Sequence, residues 1–178
     1  QVKPTNRLLE GGHLPHALAE VRALAMCAHP NIAALVGAHY DARHVYVLTD
    51  LSSSGTLRTA LASTAPAAAA PPAAPRAASR CAGFPEHVAQ FHAACALLAL
   101  EHLRAHRVAH RDLRPEAFVL DARGYPKLSG FDCARVLGGG ERAYTLCGSP
   151  EYMAPEVSLR RADGLRDGWP RMAMARDG

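Results

Sequence analysis

Two short stretches concentrate the side chains that could do chemistry in this 178-residue chain. Residues 110–116 read HRDLRPE, and residues 130–132, which begin eighteen positions after Asp112, read GFD. Carboxylates such as Asp112 and Asp132 accept protons or ligate hard cations, and arginine guanidinium groups bind anions. A third stretch, residues 145–152 (TLCGSPEY), carries a hydroxyl on each side of a glycine. The remaining elements must position these three segments.

The first third of the chain predicts a helix followed by a hairpin. Residues 14–28 have helical apolar spacing, and the expected buried stripe is Leu14, Leu18, Val21, Leu24 and Ala28. Pro30 disfavours helical geometry in the residue before it and so ends this helix. Residues 32–39 and 45–50 then predict two short strands joined by a turn.

The second half of the chain predicts a long helix and a second hairpin. Residues 86–106 form the strongest helical pattern, with an expected buried stripe of Val88, Phe91, Cys95, Leu98 and His102. Residues 118–121 and 125–129 flank a turn at Gly124. Before the long helix, residues 62–82 contain eleven alanines and four prolines, which bury little area and interrupt helix. We interpret them as an exposed, mostly disordered insertion.

The order of these elements and motifs resembles the eukaryotic protein kinase domain. The helix with Glu20, the hairpin, the long helix, HRD at 110–112, the second hairpin, GFD at 130–132 and APE at 154–156 follow that family's order. Residues 121–128 (DARGYPKL) and 145–152 are similar to the cyclic-nucleotide-dependent serine/threonine kinases of the AGC group. The resemblance implies an α+β fold, an incomplete two-lobed kinase domain with a partial small β lobe and a mainly helical large lobe.

The resemblance also implies roles for residues around a phosphoryl-transfer site. Asp112 matches the aspartate that orients the substrate hydroxyl, and Ser149 matches the hydroxyl that braces it. Arg114 replaces the lysine that touches the transferred phosphate, with a wider, planar cation. Lys3 and Glu20 match the phosphate-binding lysine and its ion-pair partner, although an ordinary surface lysine and a solvated helix charge are the alternatives.

Further positions match the family's hinge and apolar column. Asp50 begins the hinge that meets adenine through backbone groups, next to Thr49 at the gatekeeper position. The column that joins the two lobes is matched by Leu24, Leu35, His110 and Phe131, which are also ordinary core residues.

The magnesium ligands that the family implies are altered in this chain. Ala117 occupies the position of a metal-binding asparagine and has no ligand atom. Gly130 occupies the position of the metal-binding aspartate, and Asp132 follows two residues later. That displacement of about 6–7 Å is too large for octahedral magnesium unless the loop rearranges. ATP and Mg²⁺ are the cofactors that the family implies, and both binding sites are expected to be degenerate.

The activation segment carries a candidate switch. Thr145 matches the family's phosphorylation site, and Arg111 is the cation that would pair with a phosphothreonine there. An unmodified surface threonine is the alternative.

Composition excludes several classes of function. The net charge of +4 is scattered, with no basic block for nucleic acid, and no run of eighteen apolar residues predicts a membrane span. The five cysteines are odd in number and widely spaced, which indicates neither a zinc site nor a disulfide framework. The ten histidines include His102, His106 and His110 at four-residue intervals, without an acidic or cysteine partner to complete a ligand set. A cytoplasmic, soluble protein is expected.

The sequence therefore leaves three functional hypotheses. The first is a catalytically impaired kinase domain, a pseudokinase or fragment, that acts by protein binding. The second is an active serine/threonine kinase seen as a fragment or imperfect gene model, and the third is a structural relic. The expected organisation is a partial small lobe, hinge and start of the large lobe (1–61), the insertion (62–82), the large-lobe core (83–157) and an irregular tail (158–178). A protein substrate or partner is expected, with a stabilising domain or subunit.

Overall fold

The computed structural model describes residues 1–5, 14–64, 83–138, 143, 147–155 and 157. Within them the fold is α+β, with a three-stranded sheet and one helix in the small lobe. The strands are β1 (Val2–Pro4), β2 (Leu35–Tyr40) and β3 (His44–Thr49), and the helix is α1 (Leu14–Met26). The sheet is antiparallel in the order β1-β3-β2.

Helix α1 lies where the sequence predicts it, but a different face is buried. The buried residues are Ala17, Glu20, Ala23 and Leu24, whereas Leu18 is 57% exposed. Of the predicted stripe, Leu24 is buried as expected, whereas Leu18 and Ala28 are exposed, and Ala28 lies beyond the end of the helix. The helix packs closely against the turn at residues 131–133, and small alanine side chains permit that approach. Alanine carries a weak hydrophobic signal, so the pattern favoured the larger leucine.

The large lobe is built around the long helix α3 (Glu86–Ala105), preceded by α2 (Leu57–Ser63). Two short antiparallel pairs accompany it: β4 (Val108–Ala109) with β7 (Arg135–Val136), and β5 (Phe118–Leu120) with β6 (Pro126–Leu128). Short 3₁₀ turns lie at Pro115–Ala117, Phe131–Cys133 and Pro150–Tyr152.

The long helix α3 buries a narrower face than predicted. Cys95, Ala99 and Leu103 are buried against β4 and β6, while Phe91 is 40% and Leu98 is 50% exposed. Phe91 instead packs edge-to-face on Tyr125, with ring centroids 5.1 Å apart. The helix therefore presents both a core face and an apolar outer face.

One hydrophobic core joins the two lobes. It includes Leu24 from α1, Leu103 from α3, Leu128 from β6 and Phe131, with Leu35 packed against it. Main-chain hydrogen bonds strengthen the junction. The Ala33 N–H donates to the Leu128 carbonyl (2.9 Å), and the Leu128 N–H donates to the Asn31 carbonyl (2.8 Å).

Several predicted segments lie partly or wholly outside the described residues. Of the insertion predicted at 62–82, Ala62 and Ser63 end α2, and residues 65–82 are not described. The predicted tail at 158–178 is also outside the described residues, as is Thr145. In the described part of the chain, no helix is long and apolar enough to cross a membrane.

Candidate active site

The site begins at the ammonium group of Lys3, which lies between two carboxylates. Lys3 on β1 forms an ion pair with Glu20 on α1, and its Nζ also lies 2.7 Å from Asp132 Oδ1. The Glu20 side chain is 1% exposed, whereas the Asp132 side chain is 55% exposed. Burial lowers the pKa of Lys3, but the hydrogen bonds and charges of Asp132 and Glu20 outweigh it and raise the pKa above its ordinary value. Lys3 is therefore a fixed cation.

The position of Asp132 follows from the backbone at Gly130. Gly130 has a left-handed conformation (φ 73°, ψ 49°), and the 3₁₀ turn Phe131–Cys133 starts immediately after it. This turn buries Phe131 and brings the Asp132 carboxylate to Lys3. The sequence predicts that this carboxylate is displaced by two residues. It does not predict the 3₁₀ turn that brings the carboxylate to Lys3.

The catalytic-loop stretch is held by the segment at residues 147–149. The Ser149 main-chain N–H donates to Asp112 Oδ1 (2.8 Å), and Arg114 Nε lies 3.3 Å from Asp112 Oδ2. The sequence assigned the bracing of Asp112 to the Ser149 hydroxyl, whereas the contact found here is made by the amide. Gly148 allows this approach, because a Cβ there would lie only 2.4 Å from the Arg111 carbonyl oxygen.

His110 connects the catalytic loop to the turn at Phe131. Its ring packs edge-to-face on Phe131 at a centroid distance of 4.9 Å, and its Nε2–H donates to the Ser129 carbonyl (2.9 Å). The Asp112 N–H points at His110 Nδ1 (3.4 Å). Burial lowers the pKa of His110, so the ring is neutral and fixes the loop as a hydrogen-bonding group.

Asp50 has a side-chain role that the sequence does not reveal. Its Oδ1 accepts a hydrogen bond from the Ala34 N–H (2.9 Å), its Oδ2 pairs with Lys127 on β6, and its own N–H donates to the Ala34 carbonyl (3.0 Å). Asp50 also lines a groove of about 650 Å³ together with Val2, Val47 and Thr49. The predicted hinge thus borders a groove and is tied to the large lobe through Lys127.

The segment that carries the Lys3–Glu20 pair and Asp112 is similar to a known protein family. The profile of the protein kinase domain matches residues 3–167. This chain belongs to the protein kinase family. The match covers most of the chain and includes every described residue of the candidate site.

Curated kinases similar to this chain are cyclic-nucleotide-dependent enzymes. The cGMP-dependent protein kinase of Eimeria tenella is 37% identical over 155 residues, which are 86% of this chain and 14% of that protein. The cAMP-dependent protein kinase catalytic subunit of Schizosaccharomyces pombe is 31% identical over 170 residues, 95% of this chain and 30% of that protein. A cGMP-dependent protein kinase 2 of Homo sapiens is 33% identical over 146 residues, 82% of this chain and 17% of that protein. The chain spans less than a third of the length of these relatives.

Protein kinases use ATP with Mg²⁺, a cation that is held by oxygen ligands. Ala117 is buried and Gly130 has no side chain, so neither offers an oxygen beyond the backbone. The Asp132 carboxylate is paired with Lys3. Among the described residues, no group of three or more His, Cys, Asp or Glu side chains could hold a metal ion. Ala117 and Gly130 therefore supply no side-chain oxygen to the octahedral oxygen site that Mg²⁺ prefers.

Of the two residues in the predicted phosphorylation switch, the structure describes Arg111 and not Thr145. Arg111 has a left-handed backbone (φ 69°), and its Nε donates to the Cys133 carbonyl (2.7 Å). Its predicted partner Thr145 lies outside the described residues. The Arg111 guanidinium is therefore held beside the turn that begins at Phe131.

Proposed function

We propose that this chain is a catalytically impaired serine/threonine-type kinase domain that acts by binding another protein. The observation that carries the proposal is the pairing of Asp132 with Lys3, combined with the absence of a side-chain ligand at Ala117 and Gly130. Phosphoryl transfer depends almost entirely on positioned charge around the phosphates. A kinase domain that lacks both metal ligands keeps its fold but loses most of the electrostatic stabilisation of the transferred phosphate.

The outer face of α3 supports the protein-binding part of the proposal. Leu98 is 50% exposed and lines one groove with Phe91 and Tyr125, whose rings pack edge-to-face. A contiguous apolar surface is typical of a face covered by another protein element. A second domain or subunit that packs on α3 would both stabilise the kinase domain and give it a binding function.

The decisive experiment is phosphate transfer from γ-labelled ATP by the purified chain, with Asp112→Asn as the matched control. We expect no incorporation into the chain or a serine/threonine peptide above the Asp112→Asn background. A cooperative melt of both proteins shows that each is folded. Incorporation that disappears in Asp112→Asn would overturn the proposal.

A restoring variant tests the reason for the impairment. The triple change Ala117→Asn, Gly130→Asp and Asp132→Gly returns ligand atoms to the positions that the family uses. We expect ATP to raise the Tm of this variant only when Mg²⁺ is present, and no such magnesium dependence in the original chain. A magnesium-dependent rise in the original chain would show that its metal site is functional.

The second candidate is an active serine/threonine kinase. The Lys3–Glu20 ion pair and the Ser149–Asp112 hydrogen bond favour it, because both keep charged groups in place for phosphate and hydroxyl. Within this candidate, a phosphate on Thr145 pairs with Arg111 and orders the activation segment. Such phosphorylation would raise the Tm, and the Arg111→Ala variant would lose that rise.

A further inference from the structure

Three histidines meet where the two lobes join, outside the candidate active site. His102 lies in the last turn of α3 and His106 follows the end of that helix, with their ring centroids 4.2 Å apart. His29, in the segment after α1, places its ring centroid 5.0 Å from that of His102. All three side chains are half-buried. His102 is therefore the central ring of a histidine cluster that links the small lobe to the long helix of the large lobe.

The hydrogen bond at His29 requires a neutral ring. His29 Nδ1 accepts the main-chain N–H of Asn31 at 3.1 Å, so this nitrogen carries no proton. A proton added to Nδ1 would set one N–H against another and break the bond. His106 is anchored differently, because its Nδ1–H donates to the His102 carbonyl (2.9 Å).

His102 is also poorly suited to carry a charge. Its Nε2 atom is buried and has no hydrogen-bond partner among the described residues, so a proton there would create a buried donor without an acceptor. Burial, followed by the charges of His106 and His29, lowers the pKa of His102 below its ordinary value. The packed arrangement thus favours the uncharged form of the central ring.

Other titratable groups around this part of α3 do not neutralise the cluster. The helix packs against β4, which has no titratable side chain, and against β6, where the Lys127 ammonium is held in its ion pair with Asp50. The charged residues nearest to His102 in the sequence have exposed side chains: Glu101, Arg104 and Arg107. The charges that act on His102 are those of the other two histidines.

The cluster is connected to the hydrogen bonds that join the lobes. The His29 carbonyl accepts the Ile32 N–H (3.0 Å), and Asn31 lies two residues after His29. The Asn31 carbonyl accepts the Leu128 N–H (2.8 Å), and its side-chain amide donates to the Pro126 carbonyl (3.1 Å). A displacement of His29 therefore disturbs the backbone contacts between this segment and β6.

We propose that the histidine cluster is an acid-sensitive contact that holds the lobe junction at neutral pH and weakens below about pH 6. Neutral rings pack on one another and leave the His29–Asn31 bond intact. Protonation puts like charges on adjacent rings and breaks that bond, which separates His29 from α3. The junction of the kinase domain then loosens without any change in the residues of the candidate active site.

The sign of the effect follows from the central ring. The folded chain holds a proton on His102 less well than the unfolded chain does, because its pKa is lowered on folding. The contribution of the cluster is therefore fully present above the unfolded histidine pKa of about 6.5, and it decreases as the pH falls below that value.

The test measures amide hydrogen exchange of the full chain at about pH 7.5 and about pH 5.5, corrected for the intrinsic exchange rate at each pH. The peptides that decide the result cover residues 31–33 and 126–128. His102→Phe keeps an aromatic ring between the other two histidines and cannot gain a proton. We expect acidification to reduce protection at least about fivefold more in the original chain than in His102→Phe. His87→Gln removes an exposed histidine from the same helix and should behave as the original chain does.

Equal losses of protection in the original chain and His102→Phe would overturn the proposal, since they would assign the effect to another group such as His110. An NMR titration of the histidine ring protons in the original chain gives a result that does not depend on the folding of a variant. We expect His102 to titrate at a lower pH than the exposed His87, and the Asn31 amide signal to shift over the same pH range as the cluster. Titration of His102 together with His87, or an Asn31 signal that does not respond, would equally contradict the proposal.

Discussion

Asp132 lies with its carboxylate 2.7 Å from the Lys3 ammonium, although it stands two residues after the position where the kinase family has its acidic residue. The left-handed Gly130 and the following 3₁₀ turn compensate for the shift by bringing the side chain back to the lysine. They restore a charge contact and do not supply the oxygen ligands missing at 117 and 130.

The two carboxylates around Lys3 should contribute unequally to stability. Glu20 is 1% exposed and Asp132 is 55% exposed at the side chain. We expect Asp132→Asn to lower the free energy of unfolding by less than about 1 kcal/mol, because water screens an exposed pair. Glu20→Gln should cost about 2–3 kcal/mol, since it leaves the partly buried lysine without its main partner. Urea unfolding of both variants measures the difference, and equal losses would contradict this ranking.

Gly148 should tolerate no side chain. Its φ is +99°, and a Cβ would lie 2.4 Å from the Arg111 carbonyl oxygen. We expect Gly148→Ala to lower the free energy of unfolding by about 2–3 kcal/mol through backbone strain and displacement of the segment from Asp112. Gly37→Ala is the matched control, because no atom lies within 4 Å of a Cβ at that position. A Gly148→Ala variant as stable as Gly37→Ala would show that the contact is not required.

Asp50 and Lys127 should be energetically coupled across the lobes. Their side chains are about a quarter exposed, at 27% and 24%, and Asp50 also accepts the Ala34 N–H. A double-mutant cycle with Asp50→Asn and Lys127→Met is expected to give a coupling energy of about 1 kcal/mol in urea unfolding. Additive effects of the two changes would mean that the ion pair does not stabilise the junction.

Stability should fall on mild acidification because of buried histidine. Burial lowers the pKa of His110 below its ordinary value, so the unfolded chain binds a proton at a pH where the folded chain does not. The free energy of unfolding is therefore constant above the unfolded pKa of about 6.5 and decreases as the pH falls below it, by at most about 1.4 kcal/mol per pH unit for one histidine.

The change His110→Phe tests this assignment. His110→Phe retains a ring against Phe131 and cannot titrate. We expect its Tm to fall less than that of the original chain between about pH 7.5 and about pH 5.5. The pKa of His102 is also lowered, by burial first, and His102→Gln is therefore the control for a second contribution. Identical pH profiles for His110→Phe and the original chain would assign the acid sensitivity to other groups.

The sequence predicts the positions of the helices and strands more accurately than it predicts which face of each helix is buried. The spacing of apolar residues gives both main helices and the two hairpins to within a few residues. It misassigns Leu18, because α1 packs through alanines whose small size matters more than their hydrophobicity. The resemblance pairs Lys3 with Glu20, and the structure brings these two residues together.

Other parts of the site depend on contacts that no local pattern contains. The Asp50–Lys127 pair joins residues separated by 77 positions. The structure adds a contact from the Ser149 main-chain N–H to Asp112, which the sequence pattern does not predict because it identifies only side chains. Sequence spacing specifies local periodicity, and these features arise from tertiary packing.

The main-chain bonds between residues 31–33 and Leu128 have a mechanical consequence for the two lobes. They join the segment after α1 directly to strand β6, next to the buried Asn31 side chain, which donates to the Pro126 carbonyl (3.1 Å). A hinge motion that keeps these hydrogen bonds must rotate the two lobes about the bonded residues. Opening the lobes then moves Leu128 least and moves groups far from Leu128 most.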